Sequence, residues 1–154
     1  MKKKNLTFVS FEPTNGKYIS SITLEGLFSL EDDPEPILRK ASEEYKKSIT
    51  AMRNILSEIE IFRKQRVKLP ARKVWELGNT VFELINNLEG LSLQINGLYQ
   101  HLVRDLGVKR KWLEKVLIFR RYLPCVDFIP ESFNWGRCEK GTRRIAEGLK
   151  SRII

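Results

Sequence analysis

Histidine occurs once in the 154 residues, at His101, and cysteine only at Cys125 and Cys138. One imidazole and two thiols cannot complete the four-ligand set of a structural zinc site, so no metal is expected. The N-terminal Met1-Lys-Lys-Lys-Asn5 has none of the apolar length of a secretory signal, and the cysteines stand 13 positions apart. Reduced thiols in a cytoplasmic protein are the expectation. No apolar run approaches the roughly 20 residues that cross a bilayer, so no membrane partner is expected. Also missing are Gly-x-Ser-x-Gly, a Walker phosphate loop and His-Glu-x-x-His. Without a nucleophile elbow, a phosphate cradle or a metal helix, neither an enzyme nor a cofactor is implied. The lone His101 lies four residues before Asp105 and can pair with it at a helix end.

What the chain does have is charge of one sign. There are 28 Lys and Arg against 19 Asp and Glu, a formal +9. The excess is not uniform. Residues 2–4 are three lysines, residues 5–108 carry 13 bases and 14 acids, and residues 109–152 carry 12 bases and 5 acids. A basic C-terminal third on a chain that is 42% apolar points to a folded protein with a polyanionic partner.

Residues 1–31 read differently from 32–154, which gives an N-terminal arm and a helical domain. Leu6–Phe11 and Lys17–Leu24 are rich in β-branched and aromatic residues, with Asn15-Gly16 between them. That pattern predicts a β-hairpin or a loose arm needing something to pack on. Asp32-Asp33-Pro34 then reads as a helix start. Leu38, Ala41, Tyr45, Ile49, Met52, Leu56, Ile59 and Phe62 trace one stripe along a helix over Pro34–Arg66. Such a stripe serves either an intramolecular bundle or a homodimer through this helix. Pro70 opens a second helix that is densely apolar from Val74 to Leu88, and Glu89-Gly90 marks its bend or end. Apolar residues continue from Leu91 to Val103, leaving residues 70–105 as one kinked helix or two. Arg110–Leu123 is a further helix stopped by Pro124, residues 125–136 form an aromatic loop, and Arg137–Ile153 is a last basic helix. The fold class expected is mainly α: a helical bundle with a long N-terminal helix, a helix-turn-helix and a small N-terminal β-hairpin.

The helix-turn-helix falls on Tyr99–Ile118. With Gly107 as its ninth residue, the positions that must be apolar, where two helices cross and the turn tucks under, are Leu102, Leu106, Val108, Leu113 and Val116. All five are. Glycine suits the positive φ required at the turn. Val103 is larger than the alanine usual at the close crossing. In this register Lys109, Arg110, Lys111, Glu114, Lys115 and Ile118 point outward at the start of the second helix, the part that reads base edges in the major groove. Arg and Lys match guanine, and Glu can accept from cytosine. Arg104, Arg120 and Arg121 flank the motif as candidate phosphate contacts. A plain helical hairpin with a solvated basic face fits the same apolar pattern.

Trp75-Glu-Leu-Gly78, Leu98-Tyr-x-x-Leu-Val-x-Asp-Leu-Gly107, Leu113 and Phe119-Arg-x-x-Leu-Pro124 resemble the helical N-terminal segment of YhcG-like bacterial nucleases over about 50 residues. The resemblance implies DNA binding or assembly. In that family a nuclease domain of the Asp…Glu-x-Lys type follows, for which this chain, ending at Ile154, has no counterpart. Glu44-Tyr-Lys46 falls in a predicted helix and not on the strand such a site uses. No nuclease activity is therefore expected.

Phe128, Phe133 and Trp135 precede Arg137, Lys140, Arg143 and Arg144. The rings either pin the loop to the core or stack on bases. Arg137, Lys140 and Arg144 share a helical face by their i, i+3, i+7 spacing. The sequence thus predicts a protein that binds double-stranded DNA through Lys109–Lys115 and grips its backbone with the C-terminal basic helix. The alternatives are a helical module pairing with another protein through Pro34–Arg66, and an RNA-binding protein.

Overall fold

The apolar stripe expected over Pro34–Arg66 folds as a long helix. A computed structural model of the chain describes residues 2–8, 22–28 and 35–151. In it α1 spans Glu35–Lys64, and Ala41, Tyr45, Ile49, Met52 and Ile59 along it are at most 1% exposed. These five residues are covered within the single chain, and Leu56 and Phe62 of the same stripe are half-buried. The capping signal at 32–34 lies outside the described residues. Next comes α2, Ala71–Gly90, ending at the glycine that marks it. Val74, Leu77, Val81, Leu84 and Leu88 on α2 are buried, as the density of apolar residues there requires.

Residues 70–105 hold two helices and not one kinked helix, and the segment between the two is extended. A short strand, Leu93–Ile95, turns Leu93 and Ile95 inward and Gln94 outward. Backbone strands Lys2–Phe8 (β1) and Ile22–Phe28 (β2) pair antiparallel, and the short strand, β3, adds to β2 with Leu24 opposite Ile95. The Asn15-Gly16 turn lies outside the described residues. After β3 come α3, Leu98–Leu106, and α4, Arg110–Tyr122. Two single turns of 3₁₀-helix follow at Val126–Phe128 and Trp135–Arg137, and then α5, Thr142–Ser151. The architecture is mainly helical. No helix among the described residues is long and apolar enough to cross a membrane.

The chain divides into two compact units, one of Met1–Ala51 with Phe82–Val108, the other of Met52–Val81 with Lys109–Ile154. In the first, the Tyr45 hydroxyl donates to the buried Asp105 carboxylate at 2.6 Å, tying α1 to the end of α3. Asp105 therefore steadies this helix end through Tyr45, a partner sixty residues away in the chain.

The second unit carries α4. Its aromatic loop is stitched to the α1–α2 turn by two backbone bonds, Ala71 N–H to Phe133 O and Trp135 N–H to Leu69 O, both 2.8 Å. Trp135 is 2% exposed and meets Phe119 of α4 edge to face, centroids 5.3 Å apart. The Trp75 indole N–H donates to Leu123 O at 2.7 Å and fixes the end of α4. At Gly78, α2 comes so close to α4 that a Cβ would stand 2.9 Å from Arg120 Cβ and 3.1 Å from Val116 O. Both are atoms that cannot swing away. Alanine would gain about 1 kcal/mol of helix propensity there but suffer an overpacking cost of about 1–3 kcal/mol. Gly78→Ala is expected to lower stability in urea denaturation, although alanine is the better helix former.

Candidate nucleic-acid interface

Gly107 separates α3 from α4. It is left-handed, with φ 67° and ψ 34°. Its N–H and that of Val108 both reach back to Val103 O, at 3.0 and 3.3 Å. This is the capped helix end that glycine permits and a β-carbon disfavours. Lys109 follows with extended backbone, φ −75° and ψ 137°, and α4 begins at Arg110. A Cβ built on Gly107 would meet nothing within 4 Å, so only the dihedral opposes substitution. Gly107→Ala should cost about 1–2 kcal/mol, and Gly107→Asn should recover part of it because asparagine tolerates this region. At Gly78, where the opposition is steric, asparagine should recover nothing. Urea midpoints of the four variants check the contrast.

Of the five apolar positions in the window, Leu102, Leu106, Leu113 and Val116 are buried and Val108 is half-buried. Lys109, Arg110, Lys111, Glu114 and Arg121 are exposed, while Lys115 and Ile118 are half-buried. At about 100° per residue, Arg110, Arg121, Glu114, Ile118, Lys111 and Lys115 fall within one arc of about 140°. Leu113, Val116 and Phe119 occupy the opposite side and are buried. The face thus presents four bases and one acid. Glu114 bonds Arg110 at 3.3 Å, with side chains 56% and 76% exposed. An exposed i, i+4 pair of this kind contributes only about 0.3–0.5 kcal/mol and yields readily to a phosphate.

The first turn of α4 contains no acidic residue. Three cations, Lys109, Arg110 and Lys111, instead stand at the positive end of the helix dipole. Each is expected to oppose helix formation by about 0.3–1 kcal/mol, an opposition that a bound anion would relieve.

The flanking arginines divide. Arg120 is half-buried, donates to Asn79 Oδ1 at 2.9 Å and lies over the Trp75 ring at 5.3 Å. It serves the packing of α2 on α4 and is not presented as a phosphate contact. Arg121 is exposed. Arg104, on α3 in the other unit, is exposed and donates to His101 Nδ1 at 2.7 Å. Burial, with the Arg104 charge second, holds the His101 imidazole below its usual range, consistent with a ring nitrogen that accepts this bond.

The C-terminal basic residues are less regular than their spacing predicts. Arg137 closes a 3₁₀ turn, Lys140 sits before Gly141, and α5 begins only at Thr142. The Thr142 hydroxyl donates to Cys138 O at 2.9 Å across this break. The face expected from Arg137, Lys140 and Arg144 is therefore not helical, and only Arg143 and Arg144 ride on α5. All four are exposed. Arg143 pairs with Glu147 at 3.1 Å and lies 4.9 Å over the ring of Tyr122, the last residue of α4. Arg137 lies 4.9 Å over Phe133. Trp135 is core, so its ring pins the loop, and Phe128 and Phe133 are half-buried.

The sequence reading passed over Arg63, Lys64, Arg66 and Lys68. All four are exposed, and Arg63 lies 5.8 Å over the ring of Trp112, next to Lys111. Four bases in six residues were visible, but only tertiary packing brings Arg63 against α4.

The two thiols have opposite environments. Cys138 is buried and Cys125 exposed. Burial pushes the Cys138 thiol up to about 12. An alkylating agent at neutral pH should therefore add once to the native protein, at Cys125, and twice after denaturation, as intact-mass spectrometry would show. Comparison with protein-family models, with curated proteins and with solved structures finds no match to this chain.

Proposed function

We propose that the chain is a non-enzymatic DNA-binding protein, regulatory or accessory, that lays the exposed face of α4 into the major groove. The observation that carries this reading is the cluster Lys109-Arg110-Lys111 at the positive end of α4, with no acidic residue in that first turn. For the free fold this placement is unfavourable, and for a helix whose first turn meets DNA phosphates and guanine edges it is useful. The clean separation of that face from the buried Leu113, Val116 and Phe119 supports the same reading. So does the capped break at Gly107, which ends α3 and frees the first turn of α4. Lys109, Arg110, Lys111, Glu114 and Lys115 take the base edges. Arg121 and the exposed Arg143 take phosphates.

Fluorescence anisotropy of a labelled random 20-base-pair duplex, titrated at 50–200 mM salt, tests the reading. Binding that weakens steeply with salt and resists competition by structured RNA is expected. No duplex affinity at 50 mM salt, or displacement by RNA in preference to DNA, overturns it.

A further inference from the structure

We infer that the cationic end of α1, Arg63–Lys68, together with Arg137, is a second phosphate-binding strip that grips the DNA backbone beside α4. It rests on the DNA-binding reading above and extends it to residues that reading does not use.

The first support is charge. Arg63, Lys64, Arg66 and Lys68 are all exposed, and among the described residues the carboxylate that pairs with them is Glu60, 3.8 Å from Arg63. A cleft of about 430 Å³ opens between this segment and the aromatic loop. Arg63, Lys68 and Arg137 bring three cations to it, against the single acid Glu139. Its lining also includes Asn134, which is bridged to Pro70 across the turn, so the cleft is built on a bonded frame. The occupant that matches such a rim is anionic and carries several acceptor oxygens.

Backbone conformation is the second support. Arg66 has φ 56°, and Val67 N–H returns to Phe62 O at 3.0 Å to close α1. Glycine is the usual residue in that left-handed cap, and asparagine comes next. A long cation there is the conformationally unfavourable choice, and the side chain it retains is one that binds phosphate.

The third support is continuity. Arg63 lies over Trp112 at the start of α4, and Arg143 over Tyr122 at its end. On the helical wheel Trp112 is about 60° from Lys115, and Tyr122 about 20° from it. Both arginines thus flank the Lys111–Lys115 edge of α4, away from Arg110. An arginine over an aromatic ring is held by its face, while the N–H groups at its edge stay available to a phosphate. The strip therefore continues the α4 face, and DNA seated on α4 is the occupant it fits.

The test is the salt dependence of duplex binding by a quadruple variant, Arg63→Gln, Lys64→Gln, Arg66→Asn and Lys68→Gln, beside the parent and a variant altered only at Lys109–Lys111. Each phosphate contact contributes about 0.9 to the slope of log affinity against log salt. The quadruple variant should lose about 2–3 units of slope and at least 10-fold in affinity at 100 mM salt. Arg66→Gly alone should melt no lower than the parent yet lose about one unit of slope, a readout that survives if the quadruple variant folds poorly. Parental slope and affinity in both variants, with binding still lost in the Lys109–Lys111 variant, overturn the strip and leave the α4 reading standing. A parent that binds no duplex overturns both.

Discussion

Replacing Lys109, Arg110 and Lys111 together by alanine should weaken duplex binding by roughly 100- to 1,000-fold at 100 mM salt while leaving the fold at least as stable as the parent. The first half follows from counterion release. Three cations leaving the interface remove up to about 2.7 units of salt slope, and any base contacts they make are lost in addition. The second half follows from the helix dipole. Lys109–Lys111 occupy the end of α4 where positive charge is disfavoured, and the removed Arg110–Glu114 pair is exposed and weak. Alanine is also a better helix former than either cation. Affinity and stability should therefore move in opposite directions or stay uncoupled. A variant that loses binding because it unfolds would instead show a lowered melting temperature. Anisotropy titrations and thermal melts on the same preparations separate the two. If the cations are only a solvated face, affinity stays at the parental value.

The second large effect is on the frame that holds α4. Trp135→Ala should destabilise the protein by about 3–5 kcal/mol, lowering the melting temperature by roughly 6–20 °C for a chain of this size. The indole is almost wholly buried and packs on Phe119 of α4, and its backbone N–H bonds Leu69 O. Truncation opens a cavity beneath α4 and loosens the junction between the aromatic loop and the α1–α2 turn. Among the described residues the buried indole N–H has no acceptor. Trp135→Phe removes that unsatisfied donor, worth about 1–3 kcal/mol, so it should cost much less than its change in volume implies. The gap between the two variants, read from urea midpoints, measures how much of Trp135's contribution is packing. Because Trp135 sits under α4 and not on its exposed face, Trp135→Phe should bind DNA as the parent does.

Local pattern carried the helices well. α1 and α2 follow from spacings of three and four, and α2 stops at Gly90 as a glycine there would dictate. The break at Gly107 follows from one residue's freedom to take positive φ. Misreadings arose where local and tertiary preferences differ. Leu91, Leu93 and Ile95 alternate with period two, but among helical neighbours they read as more helix. Their extended form is fixed by the backbone pairing of β3 with β2, nearly seventy residues earlier. At the C-terminal end the spacing of Arg137, Lys140 and Arg144 suggested a helical face, yet α5 waits until Thr142, after Gly136 and Gly141.

The candidate site divides in the same way. The outward set on α4 was legible because a helix exposes what its buried apolar side leaves over. The engagement of Arg120 by Asn79 and Trp75 was not, since those partners lie on α2, more than forty residues upstream. Nor was the approach of Arg63 to Trp112, which only the folded second unit creates. Composition located the charge in the C-terminal third, whereas packing adds bases from the end of α1.

Backbone amide spectra of the ¹⁵N-labelled protein, recorded as a short duplex is added, test the central claim most directly. Shifts concentrated at Lys109–Lys115 and around Arg121, with the buried Val74, Leu77, Val81 and Leu84 of α2 little changed, are the predicted result. A saturating duplex that moves other surfaces and leaves the amides of 109–121 in place would contradict it.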